Sequence, residues 1–193
     1  MKKIIGTSLA VIAVIVFAAC GNENGNTPAS SKKDSTATED HAGHNHETAK
    51  PSDHPATAVA QIKDDMLNAI YQQYASLTTA LTESNADKAK IAANAIEAGA
   101  KELKGAESIA TAAAKITAAK DIDAQRKVYS DLSNSLISLI KKSGMNSGEL
   151  YVDFCPMAMN DKGGVWISSD KAIKNPYFGS GMLTCGEVKE TLN

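Results

Sequence analysis

Sulfur-bearing side chains are concentrated near the C-terminus of the chain. Cys155, Met157, Met159, Met182 and Cys185 lie in the run YVDFCPMAMNDKGGVWISSDKAIKNPYFGSGMLTCGEV, which extends from Tyr151 to Val188. Thiolate and thioether sulfurs are the ligands that select a soft cation such as Cu(I). Two cysteines alone are few for zinc, which prefers more thiolate or imidazole ligands. If the two ends of this segment meet, the sequence predicts a Cu(I) site, although another soft or divalent metal would remain an option.

Cys155 and Cys185 also permit a structural interpretation. Once Cys20 is set aside, they are the two remaining cysteines, and an even number in an oxidising compartment is typical of a disulfide. A bond between them would close a loop of about 30 residues and contribute roughly 3 kcal/mol of stability. The methionines would then be core fillers. The two interpretations stay open together, since a reducible pair can bind metal in one redox state only.

The histidines form a second candidate metal-binding group. The chain has 4 histidines, and all of them lie in the segment HAGHNHETAKPSDH, as His41, His44, His46 and His54. Short histidine-rich tracts are a metal-binding composition, and imidazole suits Cu(II), Zn and Ni. Such a site would exchange metal quickly and weaken as the pH falls through about 6.5. The alternative is a solvated polar linker in which histidine is one polar residue among many.

The first nineteen residues are typical of a secretory signal peptide. Lys2 and Lys3 are followed by the apolar stretch from Ile4 to Phe17, and the small residues before Cys20 form a cleavage site. The apolar stretch is short for a membrane span. A cysteine at the cleavage point resembles bacterial lipoprotein precursors, in which that cysteine is lipidated. We therefore expect lipidation of Cys20 and a membrane tether on the periplasmic side of a bacterial cell envelope; the alternative is an ordinary secreted protein.

Three segments follow from composition: a lipoprotein signal peptide (1–19), a lipidated cysteine with a flexible histidine-rich linker (20–56) and a folded domain (57–193). The linker has too few large apolar side chains to offset the entropy lost on ordering. Removing residues 1–19 leaves 18 basic and 22 acidic side chains. This mildly acidic balance offers no basic surface for nucleic acid.

Between residues 57 and 144, apolar side chains recur every three or four positions, as on one face of an α-helix. The stripes run from Ile62 to Leu81, Ala89 to Leu103, Ile109 to Ile116 and Ile122 to Ile140. Asn85 offers N-cap chemistry, and Gly105 and Gly144 are typical helix ends. These stripes predict an all-α fold, an antiparallel four-helix bundle. The bundle contains no histidine and no Glu-x-x-His pair, which favours a scaffold.

Helical periodicity stops after Gly144, and residues 145–193 predict a small irregular cap on the bundle. Tyr151–Phe154 and Val165–Ser168 alternate as short strands do. Gly163-Gly164 and Asn175-Pro176 are turn signals. Bundle and cap together offer no histidine as a general base and no phosphate-binding glycine loop. We therefore expect a protein that is not an enzyme.

The C-terminal motifs resemble a bacterial domain-of-unknown-function family. The matching stretches are Phe154–Ala158 (FCPMA), Gly163–Trp166 (GGVW), Asn175–Gly179 (NPYFG) and Met182–Val188 (MLTCGEV). Members of this family occur as lipoproteins and fused to adaptor subunits of copper/silver cation efflux pumps. The resemblance implies a copper role for Cys155, Met157, Met159, Met182 and Cys185, and a cation-efflux adaptor as a possible partner.

Together these features predict a periplasmic lipoprotein, tethered through Cys20, that binds Cu(I) in its cap for sequestration or for transfer to an efflux system. The alternative hypothesis is a non-metal structural or adaptor lipoprotein. In that case a disulfide would staple the cap and the bundle would bind a protein partner.

Overall fold

The computed structural model describes residues 59–193, so the predicted signal peptide and most of the linker lie outside the described part. The elements in chain order are strand β1 (Gln61–Ile62), helices α1 (Asp65–Thr82), α2 (Ala86–Glu102), α3 (Glu107–Ala118) and α4 (Ile122–Ser143), and strands β2 (Met145–Ser147), β3 (Leu150–Cys155), β4 (Gly164–Ser168) and β5 (Glu187–Leu192). The cap, residues 145–193, also contains the tight turn Ala158–Asp161 and the 3₁₀ turn Gly179–Gly181.

The four long helices occupy the four predicted apolar stripes, and side chains cap three of their starts. Asp64 accepts a hydrogen bond from the Leu67 amide at the start of α1, and Asn85 accepts one from Lys88 at the start of α2. Asp121 does the same for α4. These bonds satisfy amides that have no partner within the helix. One detail of the prediction is wrong, because Ile62 lies in β1 rather than in the first helix.

Stacked tyrosines join α1 to α4 in the core. The ring centroids of Tyr74 and Tyr129 are 5.4 Å apart, and the Tyr129 hydroxyl donates to the Tyr74 hydroxyl at 2.7 Å. The Tyr74 hydroxyl also lies 2.8 Å from Ser133 Oγ. Thr78 Oγ1 lies 2.6 Å from the Tyr129 hydroxyl, so a later residue of α1 contacts an earlier residue of α4 than in the Tyr74–Ser133 contact. The two helices are therefore antiparallel. Burial raises the pKa of Tyr74 to about 12, so this buried phenol stays neutral.

The cap is built on a sheet, which corrects the prediction of an irregular cap on an all-α fold. Strand β3 lies in the centre of a three-stranded antiparallel sheet of order β4-β3-β5. The short pair β1–β2 forms a second antiparallel sheet. The described residues are therefore mainly helical with two small sheets. The strands expected at Tyr151–Phe154 and Val165–Ser168 are present, whereas β5 was not predicted.

Among the described helices, none is long and apolar enough to cross a membrane.

Candidate functional site

Cys155 and Cys185 meet in the cap, and we refer to them as the thiol pair. Cys155 is the last residue of β3 and is fully buried, while Cys185 precedes β5 and is half-buried. The pairing of Phe154 with Glu187 aligns the two strands at this point. Their Sγ atoms are 2.9 Å apart, and both cysteines are free. The convergence of the two thiols that the sequence analysis required is therefore present.

The separation of the two sulfurs is compatible with either chemistry after a small movement. A disulfide bond is about 2.0 Å long. A metal ion bridging two thiolates, with metal–sulfur bonds of roughly 2.3 Å, would hold the sulfurs at most about 4.6 Å apart. Cys155 is fixed within a strand, whereas Cys185 lies in a loop. Cys185 is therefore the side chain that would move toward or away from its partner.

The thiol of Cys185 is held in its protonated form. Its contact with Cys155 raises the pKa of Cys185 above the usual value, and burial and the negative charge of a Cys155 thiolate act in the same direction. Two adjacent sulfurs cannot both carry charge without a cation or a covalent bond between them. Metal binding at the thiol pair would have to displace protons.

Asn175 positions the segment that carries Cys185. This residue is fully buried, and its side-chain amide donates to the carbonyl oxygen of Cys185 at 2.7 Å. The Oδ1 atom of Asn175 accepts from the Tyr177 amide at 2.8 Å. Its backbone amide donates to the Leu183 carbonyl at 2.7 Å. One asparagine thus ties together the two arms of the loop around the thiol pair.

Arg126 connects this loop to the bundle. Its Nε donates to the carbonyl oxygen of Pro176 and its Nη2 to that of Leu81, both at 2.9 Å. Gly179, with φ +56°, packs directly against this arginine: a Cβ on Gly179 would lie 2.8 Å from Arg126 Nη2 and 2.9 Å from the Thr82 carbonyl oxygen. The approach of cap to helix at this point requires glycine.

Met157, Met159 and Met182 line one open cleft of about 690 Å³, which we call the methionine cleft. The cleft is also lined by the aromatic rings of Tyr177 and Phe178 and by charged or polar side chains: Asp123, Arg126, Lys127, Asn160, Asp161 and Lys162. The two cysteines are not among its lining residues. The structure therefore brings the five predicted sulfur ligands together as two groups, a thiol pair and a thioether trio.

Asp153 is a buried carboxyl group on the same strand as Cys155. It is fully buried, and neither of its carboxyl oxygens has a hydrogen-bond partner within the described residues. Burial, together with the nearby charge of Asp170, raises its pKa from 3.8 to about 7. Burial, with a smaller effect from Asp153, raises the pKa of Tyr71, and the buried Tyr71 hydroxyl also has no hydrogen-bond partner among the described residues. A buried carboxyl group without a hydrogen-bond partner lowers the stability of the sheet that carries the thiol pair.

The remaining predicted site residues are Cys20, His41, His44, His46 and His54, and all lie outside the described residues. Within residues 59–193, no group of three or more His, Cys, Asp or Glu side chains is arranged to hold a metal ion.

Two residues that position the thiol pair have little signal in the sequence. Asn175 stands there as part of a turn signal, and Arg126 belongs to no motif. The motif NPYFG did mark the position of Asn175. Arg126 gave no signal, because an arginine on a helix that opens with Asp121 and Asp123 is indistinguishable from a solvated one.

The fold and the site define a mainly helical domain with a sulfur-bearing, sheet-containing cap. A family model described as "Protein of unknown function (DUF3347)" matches residues 70–148. The match thus supports a domain-of-unknown-function family for the helical part of the chain, and it ends before the thiol pair. Comparisons with curated proteins and with solved structures gave no match.

Proposed function

We propose that this protein is a lipoprotein of the bacterial cell envelope that binds Cu(I) through its cap, for sequestration or for transfer to a cation-efflux system. The observation that carries the proposal is the 2.9 Å approach of Cys155 Sγ to Cys185 Sγ. Two thiols from distant positions meet in a loop that Asn175 organises, and thiolate is a preferred ligand of Cu(I).

The loop position of Cys185 supports a binding role for the thiol pair. A linear, two-coordinate thiolate site needs only a widening of the sulfur separation, which the loop position of Cys185 permits. The predicted histidine tract and the lipidation of Cys20 complete the proposal: the tract would collect metal near the membrane, and the cap would hold it. For transfer to an efflux system, the partner that we propose is an adaptor subunit of a cation-efflux pump.

The test is a titration of anaerobic, reduced protein with Cu(I) in competition with a chelator of known affinity. All proteins carry Cys20→Ala, so that Cys155 and Cys185 are the remaining thiols. We expect Cys155→Ser/Cys185→Ser to weaken Cu(I) binding at least about 100-fold, because two thiolate ligands are lost. Equal affinities in the presence and absence of the two cysteines would remove the thiol pair from the proposal.

The same short distance also favours a second candidate, a structural lipoprotein whose cap is stapled by a disulfide. Mass spectrometry of protein isolated from cells under alkylating conditions separates the two. A quantitative Cys155–Cys185 bond that resists mild reductant supports the staple. Alkylation of both thiols, or their protection by bound metal, supports the metal site.

A further inference from the structure

We propose that the methionine cleft is a soft-metal site in its own right, which continues to bind when the thiol pair is oxidised. This inference rests on the proposed soft-metal function and deepens it, because it divides one sulfur cluster into two sites with different redox behaviour. The geometric basis is that the three thioethers line one cleft and the thiols do not.

The two arms of the cap each carry one thiol and at least one thioether, and on both arms the thiol and the thioether have different surroundings. On the first arm Cys155 is fully buried whereas Met157, two residues later, is 49% exposed. On the second arm Met182 lines the cleft while Cys185 contacts Cys155. The thiols thus face each other, and the thioethers face a volume that an ion in solution can reach.

The backbone that carries Met159 is held in an unusual conformation. Met159, Asn160 and Asp161 have φ values of 58°, 58° and 61°, a left-handed turn of three consecutive residues that are not glycine. Left-handed backbone is unfavourable for methionine, whereas Asn and Asp adopt it more readily. The turn is closed by the Gly163 amide, which donates to the Ala158 carbonyl at 2.9 Å. Backbone strain of this kind is concentrated at ligand sites, and here it accompanies the placement of Met159 in the cleft.

The charges around the cleft are mixed. Arg126 is paired with Asp123 at 3.3 Å and directs other donors to backbone carbonyls. Asp161 provides one further carboxylate, and Lys127 and Lys162 provide two ammonium groups. Thioethers are neutral, so a bound monovalent cation keeps its full charge. The positive charges of Lys127 and Lys162 therefore oppose cation binding, and removing one of these lysines should increase the affinity for the cation.

Oxidation separates the two sites chemically. A disulfide-containing oxidant accepts two electrons and the two thiol protons; a Cys155–Cys185 bond forms, and the oxidant is released as two thiols. The thiolate ligands are then lost. Thioethers take no part in thiol–disulfide exchange, so Met157, Met159 and Met182 keep their lone pairs. The cleft would thus retain soft-metal capacity in an oxidising compartment.

The experiment uses Ag(I), a redox-stable substitute for Cu(I), with oxidised Cys20→Ala protein in chloride-free buffer near pH 5. Histidines are mostly protonated there and compete little, whereas thioethers do not titrate. We expect Met157→Leu/Met159→Leu/Met182→Leu to weaken Ag(I) binding at least about tenfold. Met66→Leu is the matched control, because Met66 is 43% exposed on α1 and lies outside the cleft. It should leave the affinity unchanged.

Leucine conserves methionine volume, so each change should disturb the fold little; near-ultraviolet circular dichroism at Trp166 checks the cap. Met182→Leu alone should give a smaller loss of affinity, and Lys162→Gln should strengthen Ag(I) binding severalfold. The inference would be overturned if the oxidised protein did not bind Ag(I). It would also be overturned if the triple variant bound Ag(I) as tightly as the protein without the methionine substitutions. That outcome leaves the thiol titration of reduced protein untouched. Conversely, failure of the thiol titration leaves this result standing, so the two failures can be told apart.

Discussion

Replacing Asn175 with alanine should separate the thiol pair without touching either sulfur. The substitution removes the donor to the Cys185 carbonyl at 2.7 Å and the acceptor for the Tyr177 amide at 2.8 Å. The Tyr177 amide is buried, so leaving it unpaired costs about 1–3 kcal/mol, and the bond to Cys185 contributes about 1 kcal/mol. We expect a total loss of roughly 2–4 kcal/mol in the free energy of unfolding.

Part of this loss should appear as weaker coupling between the thiols. If the bond to the Cys185 carbonyl holds the loop in place with about 1 kcal/mol, the equilibrium for forming the Cys155–Cys185 disulfide should fall about fivefold. The measurement is equilibration of Cys20→Ala protein with a series of glutathione redox buffers, followed by acid quenching and mass spectrometry of the disulfide fraction.

Two further variants make the result specific. Asn175→Asp keeps an acceptor for the Tyr177 amide but loses the donor to Cys185 and places a carboxyl group at a fully buried position. It should therefore cost at least as much stability as alanine and show a similar or larger change in the disulfide equilibrium. Asn146→Ala is the control, since Asn146 is exposed and makes only a 3.3 Å side-chain bond to Gln61. An unchanged disulfide equilibrium in both Asn175 variants would refute the positioning role.

Three other predictions concern the framework of the site, each read out by urea-induced unfolding. Gly179→Ala should destabilise the domain by about 3 kcal/mol or more, because the φ of Gly179 is +56° and a Cβ would meet the Thr82 carbonyl oxygen at 2.9 Å. Gly181→Ala is the control and should be nearly neutral, since a Cβ at Gly181 would have nothing within 4 Å. Equal losses of stability in the two variants would contradict the close packing at Gly179. Arg126→Met should cost about 2 kcal/mol of stability through the lost hydrogen bonds to Pro176 and Leu81, whereas Lys127→Met at the next position should cost little. A larger loss of stability in Lys127→Met than in Arg126→Met would disprove the role of Arg126 in joining the cap to the bundle. For Asp153, whose pKa is raised from 3.8 to about 7, the unfolded chain ionises first, so wild-type stability should fall as the pH rises between these values. Asp153→Asn should therefore stabilise at pH 8 but hardly at pH 4. The shift in pKa corresponds to a stability difference of roughly 4 kcal/mol between these pH values, and solvent screening lowers the expected difference to about 2 kcal/mol. An increase in stability that is independent of pH would show that ionisation of Asp153 is not the cause.

The helices could be predicted because local signals agreed with the tertiary structure. The apolar stripes have the helical repeat, and Asn85 and Asp121 stand where the caps are needed. β5 could not be found in this way. Its sequence EVKETL is mostly polar because it forms an exposed edge of the sheet, and an edge strand of this kind lacks the apolar alternation on which prediction depends.

The candidate site was predictable in its residue types but not in its arrangement. The concentration of sulfur near the C-terminus correctly indicated that Cys155 and Cys185 lie together. The position of Met159 follows from the left-handed turn at Met159–Asp161. Asn160 and Asp161 tolerate this conformation, but methionine rarely adopts it, so the sequence around Met159 does not indicate the turn. The tie from Arg126 to Pro176 spans 50 positions in the chain and has no local signature.

Because α1 and α4 are antiparallel, strand β1 and the methionine cleft lie at opposite ends, or poles, of the domain. The chain arrives through β1, where the Lys63 amide donates to the Gly144 carbonyl at 3.0 Å. The methionine cleft instead borders the start of α4, near Asp123 and Arg126. The 18 residues of α1, at 1.5 Å per residue, separate these poles by roughly 27 Å. A docking protein that reached the methionine cleft would therefore contact the domain at the end opposite to Val59, whose carbonyl accepts from Ser147 in β2.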